Sequence, residues 1–390
     1  MSSFGLLGGA LCRVGRTCLG RGSNFCTKSR AMAAEGILVE KQEMRCFIVR
    51  CMEKVGTERS HAEALADVLV AGDHRGHFSH GLNRLEMYVN DISKKICEPK
   101  GQPTILSERA GTALVDGNNI LGPVVGTFCM NLAIKKAKEV GVGWVVTRGS
   151  NHFGIAGYYT LMATAQGMLG MSFTNGSPLV VPTGGRKKLL STNPISVAAP
   201  ARKGDEFVLD MATSAVALGK IELQKRKGES IPEGWAADQN GKVTTDPDEA
   251  LKGALLPLGG SAKTSGYKGY GLAMVVEIFC GILGGAHYGP NIRSWLNTTD
   301  KADLGHCFVA IDPTAFAPGF EDRMQDLMDT ARGSEPAEEN GEVLVAGDPE
   351  RRHMKKCDEE GGIRYHINQI KFADGLAAKL SVEPVKRKTN

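Results

Sequence analysis

The densest run of chemistry-bearing side chains in the 390-residue sequence is Asp73-His-Arg-Gly-His-Phe-Ser-His-Gly-Leu-Asn-Arg84. The spacing predicts a helix opening near Ser79, whose hydroxyl is of the kind that caps a helix start. His80 and Arg84, at i and i+4, would then project from one face. An imidazole beside a guanidinium suits a 2-hydroxy or 2-oxo acid. The guanidinium grips the carboxylate through two parallel hydrogen bonds. The imidazole, which ordinarily titrates at about 6.5, exchanges the proton on the adjacent oxygen. A helix start carrying solvated charges has the same composition. His74, His77 and His80 also recur at every third position, a spacing that invites a metal. Gly76 interrupts any continuous helix there, and no cysteine or close acidic pair completes a tetrahedral set, so no metal site is assigned.

A second cluster, Arg148-Gly-Ser-Asn-His-Phe-Gly154, follows the apolar run Val142–Thr147, which reads as a buried strand. Loops at the carboxyl ends of such strands are where open α/β sheets hold ligands. His152 is therefore a second candidate base, or else an ordinary loop histidine. Thr174-Asn-Gly-Ser-Pro178, Val181-Pro-Thr-Gly-Gly185 and Ser191-Thr-Asn-Pro194 come next. Their short hydroxyl and amide side chains, with exposed backbone N–H groups, can cradle a phosphate or ribose, and each is also the composition of a plain turn. GxGxxG after a strand, GxxxxGK[ST] and GxSxG are all absent, so neither a Rossmann nucleotide site nor a P-loop nor a nucleophile elbow can be argued.

The elements that position these residues follow from periodicity. Helices are predicted from Val39 to about Lys54, from Ser60 to Gly72 and from Ser79 onward, the last with Leu82, Leu85, Tyr88, Val89 and Ile92 turned inward. Strands are predicted at 112–116, 142–147, 170–174 and 306–311, with 195–199 and 206–210 as a hairpin turning at Lys203-Gly204. Helices fill 122–138, 269–283, 319–332 and 366–380, while 227–266 reads as a long loop. Strands alternating with helices and one hairpin mean α/β with a mixed sheet. The expected organisation is a helical region at 35–110, an α/β domain at 111–320, a C-terminal region at 321–383 packing back on the helices, and a flexible tail at 384–390.

Totals exclude other classes. A net charge of +4 without a basic run interleaved with aromatics disfavours nucleic acid as a partner. No stretch reaches the ~18 apolar residues of a membrane span. Ten cysteines without a CxxC pair fit buried thiols in a reducing compartment. Residues 1–34 hold five basic residues, several serines and no acid, the composition of a mitochondrial transit peptide.

Taken in order, these segments resemble the malate/L-lactate dehydrogenase family, which also includes ureidoglycolate, sulfolactate and piperideine-2-carboxylate oxidoreductases. The resemblance is carried by His77-Phe-Ser-His-Gly-Leu-Asn-Arg84, Ser150-Asn-His-Phe-Gly154, Val181-Pro-Thr-Gly-Gly185, Ser191-Thr-Asn-Pro194, Asp210-Met-Ala-Thr-Ser214, Gly219-Lys220, Tyr267-Lys-Gly-Tyr-Gly271 and Ala346-Gly-Asp-Pro-Glu350. One such motif is weak; the ordered set, spanning about 37–380, is specific. It implies an NAD(P)-binding α/β fold of non-Rossmann type flanked by a helical domain, in a homodimer whose site lies between domains. It implies a small 2-hydroxy/2-oxo acid as substrate, malate first, with NAD as cofactor and NADP possible. His80 paired with Ser79 would exchange the proton, Arg84 would hold the carboxylate and Thr192 would touch substrate. In another branch the position of His152 is the proton acceptor. Cofactor contacts fall on Gly176, Asp210, Met211, Ala212, Lys268, Gly347, Asp348 and Pro349.

Two features depart from the family pattern. Lys220 stands where one branch has an aspartate in a relay with the serine and histidine, and Ala346 opens a motif that usually begins with proline. Arg148 or Arg186 would meet malate's second carboxylate, and Arg351 or Arg352 either a 2′-phosphate or solvent. The alternatives are a reductase of a cyclic imine carboxylate using the same apparatus, and a catalytically silent NAD(P)-binding protein. The intact set of His80, Arg84 and His152 argues against the second.

Overall fold

Residues 36–294 and 299–388 are described by the computed structural model, so the leader assigned to 1–34 lies outside the described residues. The chain runs β1 (Ile37–Val39), α1 (Lys41–Lys54), α2 (Arg59–His74), α3 (Leu85–Ser93), β2 (Thr104–Glu108), β3 (Thr112–Asp116), α4 (Gly122–Val140), β4 (Val142–Ser150), α5 (Gly157–Thr164) and β5 (Leu169–Thr174). It continues with β6 (Ile195–Pro200), β7 (Glu206–Met211), α6 (Leu218–Lys227), β8 (Ala236–Ala237), β9 (Val243–Thr244), α7 (Pro247–Lys252), β10 (Ala254–Leu255) and α8 (Gly266–Glu277). The last elements are β11 (Leu304–Ile311), α9 (Phe320–Arg332), α10 (Asp348–Glu360), β12 (Ile363–Tyr365) and α11 (Ile367–Leu380). The described residues from Ile37 onward form one compact unit.

A seven-stranded sheet in the order β2-β3-β4-β11-β5-β6-β7 organises the molecule. Only β3 and β4 run parallel, joined by the crossover helix α4, as parallel neighbours require. Every other neighbouring pair is antiparallel. The mixed sheet expected from the hairpin is present, and a single parallel pair is far from the all-parallel Rossmann arrangement. Apolar β11 occupies the middle, buried along nearly its whole length, which is why His306-Cys-Phe-Val-Ala-Ile311 reads as an unbroken apolar run rather than an alternating one. Phe308 and Val145 pack there against Tyr159 and Met130.

The helical side has its own core. Phe47, Leu65, Leu69, Leu82 and Tyr88 pack with Tyr365, Ile370 and Leu376 from β12 and α11. The short β1 and β12 pair antiparallel and tie the two ends of the described chain together.

Two expectations are corrected. Residues 227–266 are not a featureless loop: they hold α7 and the small sheet β10-β8-β9, with Ile231, Ala236, Ala250 and Leu255 in a core of their own. The strands are only two residues long, too short for periodicity to reveal. The tail is not frayed through 384–388. Val385 is 4% exposed, and Lys388 N–H donates to the Leu38 carbonyl at 3.0 Å. One buried valine between polar neighbours is enough to seat it.

Candidate functional site

Register places the ligand segments together. β4 and β5 end, and β6 and β11 begin, at one end of the sheet: Ser150 lies opposite Leu304, Thr174 opposite His306, and Ile195 opposite both Phe173 and Met211. The His152 loop, the 174–178 and 191–194 segments and the Asp210-Met-Ala212 end of β7 therefore share that end.

The helix expected at Ser79 does not form. Residues 79–81 are a turn, Leu82–Arg84 a single 3-10 turn, and α3 begins at Leu85. Two things prevent an earlier start. Gly81 is not helical, with φ −99° and ψ −133°. The Leu82 N–H is taken by Asp73 Oδ2 at 2.9 Å, so the cap comes from the end of α2 and not from Ser79. Ser79 is freed to place its Oγ 2.9 Å from His80 Nδ1. His80 and Arg84 are brought together by the loop, because Arg84 Nε donates to the Ser79 carbonyl at 2.7 Å. Glu222 of α6 is close enough to act on the Arg84 charge.

The two rival histidines stand side by side. The rings of His80 and His152 are stacked, 5.7 Å between centroids and 23° between planes. His152 Nδ1 lies 2.6 Å from the Tyr88 hydroxyl and accepts the Gly154 N–H at 3.3 Å. Burial holds the Tyr88 phenol far above its ordinary value, so the hydroxyl keeps its proton; the Gly154 N–H can only donate, so Nδ1 is read as the acceptor and Tyr88 as its second donor. With Nδ1 accepting, the proton of neutral His152 sits on Nε2, which makes that nitrogen a donor. Burial, then the charges of His80 and Arg84, push the His152 imidazole well below its ordinary pKa. His80 is lowered to about 4, by burial first, then by Arg84 and His77. Both imidazoles are neutral at physiological pH.

The histidines once considered as a metal set diverge. His74 bonds Asp358 at 2.9 Å, His77 approaches Glu350 at 3.6 Å, and His80 takes Ser79. Among the described residues no group of three metal-binding side chains is assembled.

Thr192 accepts the Thr213 N–H at 2.8 Å, which links it to the end of β7. Beside it, Asn193 is held by the buried Glu277 carboxylate at 3.1 Å, and the same carboxylate takes Asn175, next to Gly176, at 3.2 Å. Glu277 escaped the sequence reading because it sits in a largely apolar helix. Tyr88, read there as plain core, is buried as expected, but its hydroxyl does polar work.

Asp210 accepts the Gly157 N–H at 2.7 Å at the start of α5, and faces the charges of His77, Arg75 and Glu350. Gly347, at φ +99°, a backbone conformation that favours glycine, sits against the Arg351 guanidinium and Val208 of β7, 2.8 and 3.2 Å from where a Cβ would fall. Asp348, followed by Pro349 in the first turn of α10, accepts Arg332 at 2.8 Å and Arg351 at 2.6 Å. These bonds and the Val345 N–H overcome burial and hold its carboxyl far below the usual range.

Not everything converges. Lys220 is exposed on α6, and the hydrogen bonds and ion pairs of Ser79 and His80 do not include it. Lys268 is exposed in the first turn of α8. Arg351 is engaged by Asp348 and the Glu206 carbonyl, Arg352 by Glu342, and Arg148 by Asp116. Neutral amides, hydroxyls, close-approach glycines and the unpartnered buried Asn193 Oδ1 suit a nicotinamide dinucleotide better than a bare cation.

The profile of the family described as malate/L-lactate dehydrogenase matches residues 39–371. The malate dehydrogenase of Pyrococcus horikoshii is 44% identical over 317 residues, covering 80% of this chain and 87% of its own. The L-sulfolactate dehydrogenase of Methanocaldococcus jannaschii is 42% identical, covering 83% of this chain and 92% of its own. The crystal structure of malate dehydrogenase from Entamoeba histolytica superposes with a TM-score of 0.84 at 33% identity, covering 89% of this chain and 99% of that one. Matching relatives include enzymes named as NAD(+)- and as NADP(+)-dependent.

The geometry predicts the His152 tautomer. Nitrogen-15 NMR should place its proton on Nε2 throughout pH 6–8, and Tyr88→Phe should weaken that preference. A proton on Nδ1 in the unaltered protein would mean that the Tyr88 contact runs the other way.

Proposed function

Because the chain belongs to the malate/L-lactate dehydrogenase family, we propose that its NAD(P)-dependent oxidation of a 2-hydroxy acid runs at the His80–Arg84 loop, with malate as the substrate. The observation that carries this reading is the neutral His80 imidazole beside a guanidinium and against the donor-configured His152. Arg84 holds the C1 carboxylate, which brings the C2 hydroxyl toward His80. With Nδ1–H directed at Ser79 Oγ, the His80 Nε2 lone pair accepts the hydroxyl proton as the C2–H hydride leaves and the C2 carbonyl forms. A nicotinamide cofactor, which Gly176, Asp210–Ala212 and Gly347–Pro349 would hold, would supply the acceptor for that hydride in oxidation and its donor in reduction. His152, its Nδ1 occupied, steadies the developing carbonyl oxygen as a hydrogen-bond donor. The substrate carboxylate offsets Arg84, so the His80 pKa rises from about 4 toward a value better matched to proton exchange.

Gly176, Thr192 and Asp210–Ala212 supply the polar edge for cofactor and substrate, and Gly347–Pro349 the close backbone approach. The arginines after Pro349 already have acidic partners, which supports NAD over NADP. Lys220 is assigned no step. With Arg148 paired to Asp116, Arg186 is the better of the two candidates for malate's second carboxylate.

Exposed apolar residues on α8 support a pairing of protomers. Tyr267, Leu272, Val275, Ile278, Ile282 and Leu283 are exposed along it and the π turn that continues it. A contiguous apolar face of this kind marks an interface, and a second copy of this chain is the occupant that supports a homodimer. Sedimentation should give a dimer mass, and Ile278→Glu should shift it toward monomer. The basic leader supports mitochondrial import, which imaging of the full-length chain tests.

The deciding experiment pairs steady-state kinetics of His80→Asn and His152→Asn with a panel of malate, lactate, sulfolactate and a cyclic imine carboxylate, each with NAD and NADP. Malate with NAD should give the highest kcat/KM. His80→Asn should lose at least ~100-fold in kcat, the lower range for a positioned base, with cofactor affinity unchanged. His152→Asn should raise KM as well as slow turnover. Loss of kcat alone in His152→Asn, with turnover kept in His80→Asn, reverses the two roles.

A further inference from the structure

Asp73 lies at the end of α2, wholly buried, and its carboxylate makes no ion pair among the described residues. Its Oδ2 accepts two bonds at 2.9 Å each, from the Leu82 N–H and from the Tyr365 hydroxyl of β12. Its Oδ1 is buried without a partner. A Cβ on Gly81 would fall 1.8 Å from that Oδ1, so the carboxylate occupies the space of a missing side chain in the catalytic loop. Within the loop the His80 N–H donates to the His77 carbonyl, the Arg84 N–H to the Gly81 carbonyl and Arg84 Nε to the Ser79 carbonyl, while at its start the His77 N–H reaches the Gly72 carbonyl of α2 at 2.8 Å. Asp73 ties this folded segment to α2 and to β12, and Gln369 of α11 adds a contact to Asn83 at 3.3 Å.

We propose that Asp73 is a positioning residue for the reaction, its buried carboxylate fixing the backbone turn that sets His80 and Arg84 side by side. The argument rests on the reading of His80 as the base. A buried carboxylate without a cation partner is costly, and an amide of the same shape would accept the same two bonds without that cost. What the charge adds is a stronger, charge-assisted hold on Leu82 and Tyr365.

The arrangement has a pH signature. Burial holds the Asp73 carboxyl up at about 7, against the pull of the Leu82 and Tyr365 bonds. The groups facing it are the Tyr365 hydroxyl from β12 and the Leu82 N–H from the loop, and no cation offsets the burial. On α2 itself, the neighbouring His74 is turned to Asp358, and Arg75 faces Glu350, Glu206 and Asp210. As pH falls through about 7 the carboxyl takes a proton and its grip weakens. Turnover then declines well above the value near 4 at which His80 itself is protonated.

The test is the pH dependence of kcat/KM from 5 to 9 for the unaltered enzyme, Asp73→Asn, Tyr365→Phe and His80→Asn, with thermal unfolding and cofactor titration in parallel. The unaltered enzyme should show an acid limb near 7. Asp73→Asn should lose at least ~10-fold in kcat, the scale of a misplaced catalytic group, keep cofactor affinity within about twofold, and lack that limb. Tyr365→Phe removes a donor that favours the carboxylate, so the limb should move upward. A role confined to stability would lower the unfolding temperature of Tyr365→Phe and leave its limb in place, which overturns the proposal even if Asp73→Asn does not fold. Unchanged kcat and an unchanged limb in Asp73→Asn, beside an inactive His80→Asn, overturn the Asp73 role alone. Turnover surviving in His80→Asn overturns the base assignment.

Discussion

The site depends on β11 lying between β4 and β5, although it comes from far later in the chain, and on one buried imidazole that fixes the join. His306, at 0% exposure, places Nε2 2.7 Å from Ser150 Oγ and Nδ1 2.7 Å from Thr174 Oγ1. Thr174 donates its own hydroxyl to the Asn175 carbonyl at 2.9 Å, so the chain of bonds has a direction. Phe153, next to His152, stacks on the same ring at 4.6 Å. The two loops that leave β4 and β5 toward the ligand are thereby set in register by a group that never reaches solvent. Burial pushes this imidazole down to about 3, so it stays neutral and the staple holds across the working range.

From that end of the sheet the polar contacts run around the cleft. His152 stacks on His80, Glu277 holds Asn175 and Asn193 together, Thr213 joins Thr192 to β7, and Asp210 faces His77 on the loop that carries His80. The helical side closes the ring through Tyr88 and Asp73. Burial lowers His80, His152 and His306, and raises the carboxyls of Asp73, Asp210 and Glu277. The site is built from neutral imidazoles and poorly solvated acids, an environment in which one substrate carboxylate on Arg84 has a large effect. This is how a chain without a glycine-rich phosphate loop does nicotinamide chemistry: its precision comes from buried side-chain bonds rather than from one backbone motif.

How much of this was legible in the sequence depended on the range of the interaction. Strands such as 112–116 and 306–311 and helices such as 122–138 follow from local apolar periodicity, and the structure keeps them within a few residues. His80, Arg84 and His152 were legible because their types imply chemistry wherever they sit. The helix at Ser79 was misread because the competing cap, Asp73, is separated from Leu82 by a turn that local spacing cannot reveal. Glu277 and Tyr88 were invisible as site residues for a related reason. An acid inside an apolar helix and a tyrosine on an apolar face both look like packing until their distant partners arrive. Strands of two or three residues, β1, β8 to β10 and β12, carry too little pattern to be read at all. Lys220 shows the limit of a motif position: it marks a place in the family pattern, and in this chain that place is an exposed position on α6.

The central claim is that a loop, not a helix face, aims His80 and Arg84 at one 2-oxo acid while His152 donates. A crystal structure with the nicotinamide cofactor and oxamate, an unreactive 2-oxo acid analogue, tests it most directly. The account predicts the oxamate carboxylate on the Arg84 guanidinium and its C2 oxygen within ~2.6–3.2 Å of His80 Nε2, with Tyr88 still on His152 Nδ1. Oxamate bound away from Arg84, or a C2 oxygen held by His152 alone with His80 turned aside, would contradict it.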